Sequence, residues 1–354
     1  MKKYNFSAGP STLPEEVLQQ AAEAVLNLNN SGTSLIEISH RSKDFIAIMD
    51  EARSLVKKLM KLDDNHEVLY LQGGASLQFS MIPYNLLKNK AAYIDSGNFA
   101  SSAIKEAKKI GSIEVLASSK DDKYTYIPKN FEIPKDVDYL HLTSNNTVYG
   151  TELKEFPETD VPLVCDMSSD ILSRDIDFNK FGLIYAGAQK NIGPAGVTLV
   201  IVNKNLLGKT DRNLPSYLDY QIHIEKESMA NTPPVFAVYA TLLNLRWLDK
   251  QGGVSEIEKK NREKAALLYG EIDRNPLFRG VCVEEDRSLM NACFFLNDEA
   301  TYKAKFDELV KQANIIGING YRTVGGYRAS IYNAMPLEGV QTLVNVMKEL
   351  EKIA

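Results

Sequence analysis

The chain has 354 residues, 44% apolar and 25% charged, with a net charge of −5 at pH 7, a composition that suits a globular protein with one large domain and a smaller one. The negative balance argues against a general nucleic-acid surface, which needs a basic excess, and no apolar run approaches the roughly 18 residues that span a membrane. The start, Met1-Lys2-Lys3-Tyr4-Asn5-Phe6, lacks the apolar core of a signal peptide, so a cytoplasmic location is expected. Cys165, Cys282 and Cys293 sit in or beside apolar runs and read as buried small hydrophobes. The four histidines are scattered, so no metal site is expected.

In chain order, Asn5 to Pro10 reads as a loop, and Leu13-Pro14-Glu15-Glu16 opens a helix with proline and acids in its first turn. A short apolar alternation at Leu35 to Ile38 precedes Ser39-His40-Arg41-Ser42-Lys43, which is either an anion-binding cluster or an ordinary solvated one. Asp44 to Met60 has the spacing of an amphipathic helix. Val68 to Gln72 reads as a strand running into Gly73-Gly74-Ala75-Ser76 and a helix from about Leu77. A strand, glycines and a helix start can turn backbone N–H groups toward a phosphate. The third glycine and the acidic residue of the dinucleotide fingerprint are not in register.

Strand-like runs follow at Ala91 to Asp95, Ile113 to Ala117, Tyr139 to Thr143, Leu163 to Met167, Leu183 to Ala186 and Val197 to Val202, with a helix from about Phe99 to Ile110. Near-continuous apolar strands predict a mainly parallel seven-stranded sheet covered on both faces. Ligands of such sheets lie beyond the carboxyl ends of the strands, so Gly74 to Ser76, Ser96 to Phe99, Ser144 to Thr147, Asp166 to Ser169 and Gln189-Lys190 are expected to face one crevice. After Asn231-Thr232-Pro233-Pro234 a helix runs to about Lys250. Gln251-Gly252-Gly253 marks the expected boundary between a large domain, 16–253, and a small α+β domain, 254–354, with segment 1–15 packing near the small one.

Lys190 is the only charged residue in Gly182-Leu-Ile-Tyr-Ala-Gly-Ala-Gln-Lys190-Asn-Ile-Gly-Pro-Ala-Gly196-Val. A lysine in a turn is ordinarily a surface residue. Here apolar strands flank it, and desolvation lowers an ammonium pKa and frees the amine as a nucleophile, which suits Schiff-base chemistry. Asp166 follows a buried strand 24 residues earlier. An amine, a phosphate cradle and an aspartate for a ring nitrogen are the parts a pyridoxal 5'-phosphate site needs.

At these residues the sequence resembles the phosphoserine aminotransferase family, class V aminotransferases of fold type I. The strings that carry the resemblance are Phe6 to Pro10, Glu37 to Arg41, Gly73 to Ser76, Ser168 to Arg174, Ile184 to Gly196, Asn231 to Pro234 and Gly326-Tyr-Arg328-Ala-Ser-Ile-Tyr-Asn-Ala-Met-Pro336. The resemblance implies Lys190 as the Schiff-base lysine and Asp166 as the ring-nitrogen partner. It places Phe99 over the ring, Thr147 beside the phenolic oxygen, and Ala75, Ser76 and Gln189 at the phosphate. Asn231 and Thr232 match a pair donated across a homodimer with shared active sites. Arg328 is implied for the substrate α-carboxylate, and His40, Arg41 and Arg322 for a phosphate or distal carboxylate.

The chain departs from the family at Tyr321, where many members have histidine, at Ala75-Ser76, where others have Gly-Arg, and at Phe99, often a tryptophan. The implied reaction is transamination between L-glutamate and 3-phosphooxypyruvate in serine biosynthesis, with 4-phosphooxy-L-threonine as an open second substrate. No nucleic acid or membrane partner is implied. The competing readings are an aminotransferase for unphosphorylated amino acids, a cysteine desulfurase, and a non-catalytic protein that keeps the fold. Cysteines in apolar runs disfavour the desulfurase, and intact Lys190, Asp166 and Arg328 disfavour the last.

Overall fold

The computed structural model describes residues 3–354. Seven strands form the central sheet: β1 (His66–Leu71), β2 (Lys90–Asp95), β3 (Ser112–Ser118), β4 (Leu140–Thr143), β5 (Leu163–Asp166), β6 (Phe181–Gly187) and β7 (Thr198–Asn203). Their spatial order is β1-β7-β6-β5-β4-β2-β3. All run parallel except β7, which is antiparallel to both neighbours. Both faces are covered, as the unbroken apolar runs predict. One face, with Val68, Ile94, Leu142, Cys165 and Ile184, packs against α1 (Glu15–Leu26), α2 (Lys43–Met60) and α5 (Val235–Lys250). The other, with Tyr93, Val164, Tyr185 and Val200, packs against α3 (Gly74–Leu86) and α4 (Asn98–Ala107).

A second core surrounds a three-stranded antiparallel sheet of β8 (Phe278–Gly280), β9 (Asn291–Leu296) and β10 (Tyr327–Ser330). Three helices cover it, α6 (Gly253–Arg274), α7 (Glu299–Gln312) and α8 (Leu337–Ile353). Helix α6 serves both cores: Val254 and Ile257 pack into the first, Leu268 and Ile272 into the second. Gly252, at φ 98°, lets the chain turn directly from α5 into α6. The N-terminal residues Tyr4–Asn5 pair in parallel with Ile315–Ile316, and Phe6 enters the second core.

Two helix starts need correction, and one short alternation forms no strand. Leu35 to Ile38 form a turn in which only Leu35 is buried. Helix α3 begins at Gly74, because Gly73 at φ 90° already turns the chain and the next residues are free to coil. Helix α7, for which the spacing predicts a start near Tyr302, begins at Glu299, where the Asp298 carboxylate accepts from the Thr301 amide, a cap outside the periodic stretch.

Helix α6 also buries a lysine. Lys264 is 2% exposed and donates to the carbonyls of Ile331, at 3.0 Å, and Tyr332, at 2.6 Å. Burial, aided by Lys260, pushes its ammonium down to about 7. A base whose native pKa is depressed costs stability fully below that value, and the cost fades as pH rises toward the ordinary lysine value. Wild-type unfolding free energy is therefore expected to rise relative to Lys264→Met by about 2 kcal/mol between pH 7 and pH 9. Urea titrations of the two proteins at both pH values check this, and a constant difference would count against it.

Candidate active site

Parallel strands deliver their C-terminal residues to one edge, and the candidate residues collect there. Asp166 is the last residue of β5, 6% exposed, and its Oδ1 accepts from the Ser168 amide at 2.9 Å. Tyr185 lies beside it in register on β6 and hydrogen-bonds His141 Nε2 at 3.0 Å. His141 stacks on Tyr93 with ring centroids 4.7 Å apart, and burial holds its imidazole down at about 3, hence neutral. Behind Asp166 the sheet is thus polar but uncharged.

Lys190 lies in the turn after β6. Its Nζ donates to Thr147 Oγ1 at 2.7 Å and Ser169 Oγ at 3.0 Å, and lies 5.0 Å from the centre of the Phe99 ring. The residue keeps intermediate exposure, but its ammonium end is enclosed. Burial pushes its pKa down to about 8; Arg328 lowers it further, while Asp166 and Asp170 oppose the shift. Such an amine is partly neutral near physiological pH, the state a nucleophile or base requires. Arg328 reaches this cluster from β10, donating from Nη1 to the Thr147 carbonyl at 3.3 Å, while its buried Nε has no partner among the described residues.

The N-terminal segment, read from sequence only as a loop, closes over the lysine turn. The Ser11 amide donates to the Gln189 carbonyl at 3.0 Å, and Ser11 Oγ donates to the carbonyl of Lys190. Gly9 permits this approach, since a Cβ there would lie 3.3 Å from Lys190 Cγ. Asn191 ties the same turn to the second core, its Oδ1 accepting from the Asn333 amide at 2.9 Å. Tyr185 and His141 were likewise not singled out, and Ser169 is expected only as the end of the crevice-facing stretch Asp166 to Ser169. Only the position of Ser169 after a strand end hinted at its role.

The remaining candidates lie more openly. Ala75 and Ser76 occupy the first turn of α3, which has no side-chain cap. Phe99, on α4, is 39% exposed. His40 is partly exposed, and Arg41 and Arg322 are exposed; none of the three side chains is hydrogen-bonded or ion-paired to a described residue. Asn231 and Thr232 are exposed beside the end of β1, where the Thr232 carbonyl accepts from Gln72 at 3.0 Å. The chain therefore assembles Lys190, Asp166, Thr147, Arg328 and Phe99, and bonds none of His40, Arg41, Asn231, Thr232 or Arg322 to them.

An enclosed amine with a depressed pKa, a carboxylate at the adjoining strand end and an uncapped helix N-terminus suit a cofactor with an aldehyde, a basic ring nitrogen and a phosphate. The family described as Aminotransferase class-V matches residues 3–343. The phosphoserine aminotransferase of Flavobacterium johnsoniae is 61% identical over 354 residues, covering 99% of each chain. Among solved structures, the phosphoserine aminotransferase of Bacillus circulans subsp. alkalophilus superposes with a TM-score of 0.96 at 43% identity, covering 99% of each chain. The pyridoxal-phosphate-bound phosphoserine aminotransferase of Trichomonas vaginalis gives 0.93 at 37% identity, over 98% of this chain and 100% of that one. The chain belongs to the phosphoserine aminotransferase family of class-V aminotransferases.

Proposed function

We propose that the protein is a pyridoxal-phosphate-dependent transaminase that interconverts 3-phosphooxypyruvate and L-glutamate with O-phospho-L-serine and 2-oxoglutarate, in serine biosynthesis. The observation that carries this is the enclosed Lys190 amine between Asp166 and Arg328, in a chain similar over its whole length to phosphoserine aminotransferases. When bound, pyridoxal phosphate supplies an aldehyde for covalent attachment of amines and a ring that withdraws electrons from the substrate α-carbon.

The chain's own residues supply the rest. Lys190 Nζ would hold the cofactor covalently and would carry the substrate α-proton, first as a base and then as an acid. The Asp166 carboxylate would hold the ring nitrogen in its protonated form, and Phe99 would cover the ring. The Ala75 and Ser76 amides at the start of α3 and the Gln189 side chain would hold the phosphate. Thr147 would lie beside the phenolic oxygen. Arg328, whose fork is only partly used, takes the substrate α-carboxylate in bidentate fashion.

The free side chains of His40, Arg41 and Arg322 are assigned to the substrate phosphate or the distal carboxylate of glutamate. Their exposure, with that of Asn231 and Thr232, supports a homodimer in which the partner's Asn231, Thr232 and Arg322 complete the site. No helix among the described residues is long and apolar enough to cross a membrane, and we assign the protein to the cytoplasm.

Titration of the cofactor-loaded protein with O-phospho-L-serine, with L-serine as control, tests the reading through the visible spectrum. Phosphoserine is expected to convert the bound cofactor at far lower concentration than serine. Equal potency would transfer the assignment to an unphosphorylated amino acid. Arg41→Ala is expected to raise the phosphoserine concentration for half-conversion about 10- to 100-fold, the worth of a charged hydrogen bond, and to leave serine unaffected. An equal loss for both substrates would remove Arg41 from the phosphate pocket.

A further inference from the structure

Three consecutive carbonyls of the turn that follows β5 each accept from an asparagine, and the asparagines come from three separate stretches of chain. The Ile171 carbonyl accepts from Asn191 Nδ2, the Leu172 carbonyl from Asn333 Nδ2 at 2.9 Å, and the Ser173 carbonyl from Asn261 Nδ2 at 3.0 Å. The asparagines also bond one another. Asn191 Oδ1 accepts from the Asn333 amide at 2.9 Å, and Asn333 Oδ1 accepts from Asn261 Nδ2 at 2.8 Å. All three residues are buried. A main-chain carbonyl can only accept and a main-chain N–H can only donate, so these bonds fix the orientation of each side-chain amide.

The network joins the stretches that carry the site. Asn191 follows Lys190. The turn itself begins after Asp166 and holds Ser169, a hydrogen-bond partner of Lys190. Asn333 stands five residues beyond Arg328, on the segment that leaves β10. That segment has little slack, because the Ile331 amide donates to the Met290 carbonyl at 2.8 Å and Lys264 holds the carbonyls of Ile331 and Tyr332. Leu172 adopts φ 57°, a left-handed conformation uncommon for leucine, which persists where the surroundings hold it. The bond from Asn333 falls on that residue's own carbonyl.

We propose that Asn191 and Asn333 are positioning residues: their hydrogen bond, braced by Asn261, sets Arg328 of the second core against the Lys190 turn, so that one substrate can present its α-carbon to the amine and its α-carboxylate to the guanidinium. The inference rests on the assignment of Arg328 to the substrate α-carboxylate. A fork that pairs bidentately with a carboxylate depends on placement, and a displaced fork loses one of its two bonds.

The test measures binding on the cofactor-loaded protein by titration calorimetry, with two inert ligands. 3-Phosphoglycerate has a phosphate and a carboxylate, glycerol 3-phosphate has the phosphate alone, and neither has an amine to react. The ratio of their dissociation constants therefore reads the carboxylate contact. Asn333→Ala is expected to reduce the preference for 3-phosphoglycerate about tenfold, the scale of one hydrogen bond to a charged group, and to leave glycerol 3-phosphate affinity unchanged. Asn191→Ala removes the same bond from its other end and is expected to do the same, which keeps the test open if Asn333→Ala does not fold. Added to Arg328→Ala, the Asn333→Ala change is expected to alter the ratio no further, because residues that act through one contact are not additive.

A wild-type ratio in the folded variants would overturn the proposal, and so would an equal loss of affinity for both ligands, the mark of a merely structural role. A further tenfold change in the Arg328→Ala background would show that the asparagines do not act through Arg328 and would overturn it as well. A wild-type protein with no preference for 3-phosphoglycerate would instead overturn the functional reading at Arg328.

Discussion

Lys190→Ala protein is expected to lose at least about four orders of magnitude in transamination, the upper range for removal of a positioned acid–base group, and to lose covalent attachment of the cofactor as well. Its site should still bind the cofactor, because the phosphate cradle at the start of α3, Asp166 and the Phe99 face do not depend on the lysine. Reduction with borohydride followed by mass spectrometry should show an adduct on the wild-type chain and none on the variant, and equilibrium dialysis should show cofactor retained by both. Turnover within a hundredfold of wild type would sink the assignment of Lys190. The pH response of the wild type has a definite sign. With the lysine pushed down to about 8 by burial, cofactor uptake should rise as pH passes upward through that value and level off above it.

Asp166→Asn is expected to lower kcat by about 10²- to 10³-fold, the cost of removing one preorganised electrostatic partner from an enclosed site. The substitution is nearly isosteric, and Asn can keep the bond from the Ser168 amide. What it loses is the negative charge that keeps a ring nitrogen protonated. The neutral groups behind it cannot make up the loss: burial holds His141 uncharged and pushes the Tyr185 hydroxyl far up. Steady-state kcat with phosphoserine and 2-oxoglutarate, alongside cofactor affinity, separates the cases. A drop under tenfold would mean that Asp166 does not govern the ring nitrogen, and lost affinity with normal kcat would make it a binding residue only.

The strands were legible because burial on both faces removes the need for alternation. Leu183 to Ala186 and Val197 to Val202 therefore stand out as unbroken apolar runs, and both are strands of the central sheet, next to each other. Their relative direction was not legible, since an apolar run reads the same in both directions, and only the structure shows β7 running against its neighbours. Helix starts were missed where the signal was backbone conformation, as at Gly73, or a cap outside the periodic stretch, as at Asp298. At Leu35 to Ile38 the short alternation forms a turn, with one buried residue and no strand partner.

The sequence by itself determined the chemistry available: one lysine between two buried strands, an aspartate at a strand end, glycines before a helix, and strings that match one family along the whole chain. These are local features, fixed by residue type and spacing. Tertiary structure alone decided what the lysine touches. Thr147, Ser169, Phe99 and Arg328 come from separate stretches that meet because parallel strands end on one edge and β10 packs beside it. The roles of the Tyr332 hydroxyl are set still farther away, by the Ala8 carbonyl, which can only accept, and the Asn291 amide, which donates. A hydroxyl is donor or acceptor only in relation to its neighbours, and folding chooses those neighbours.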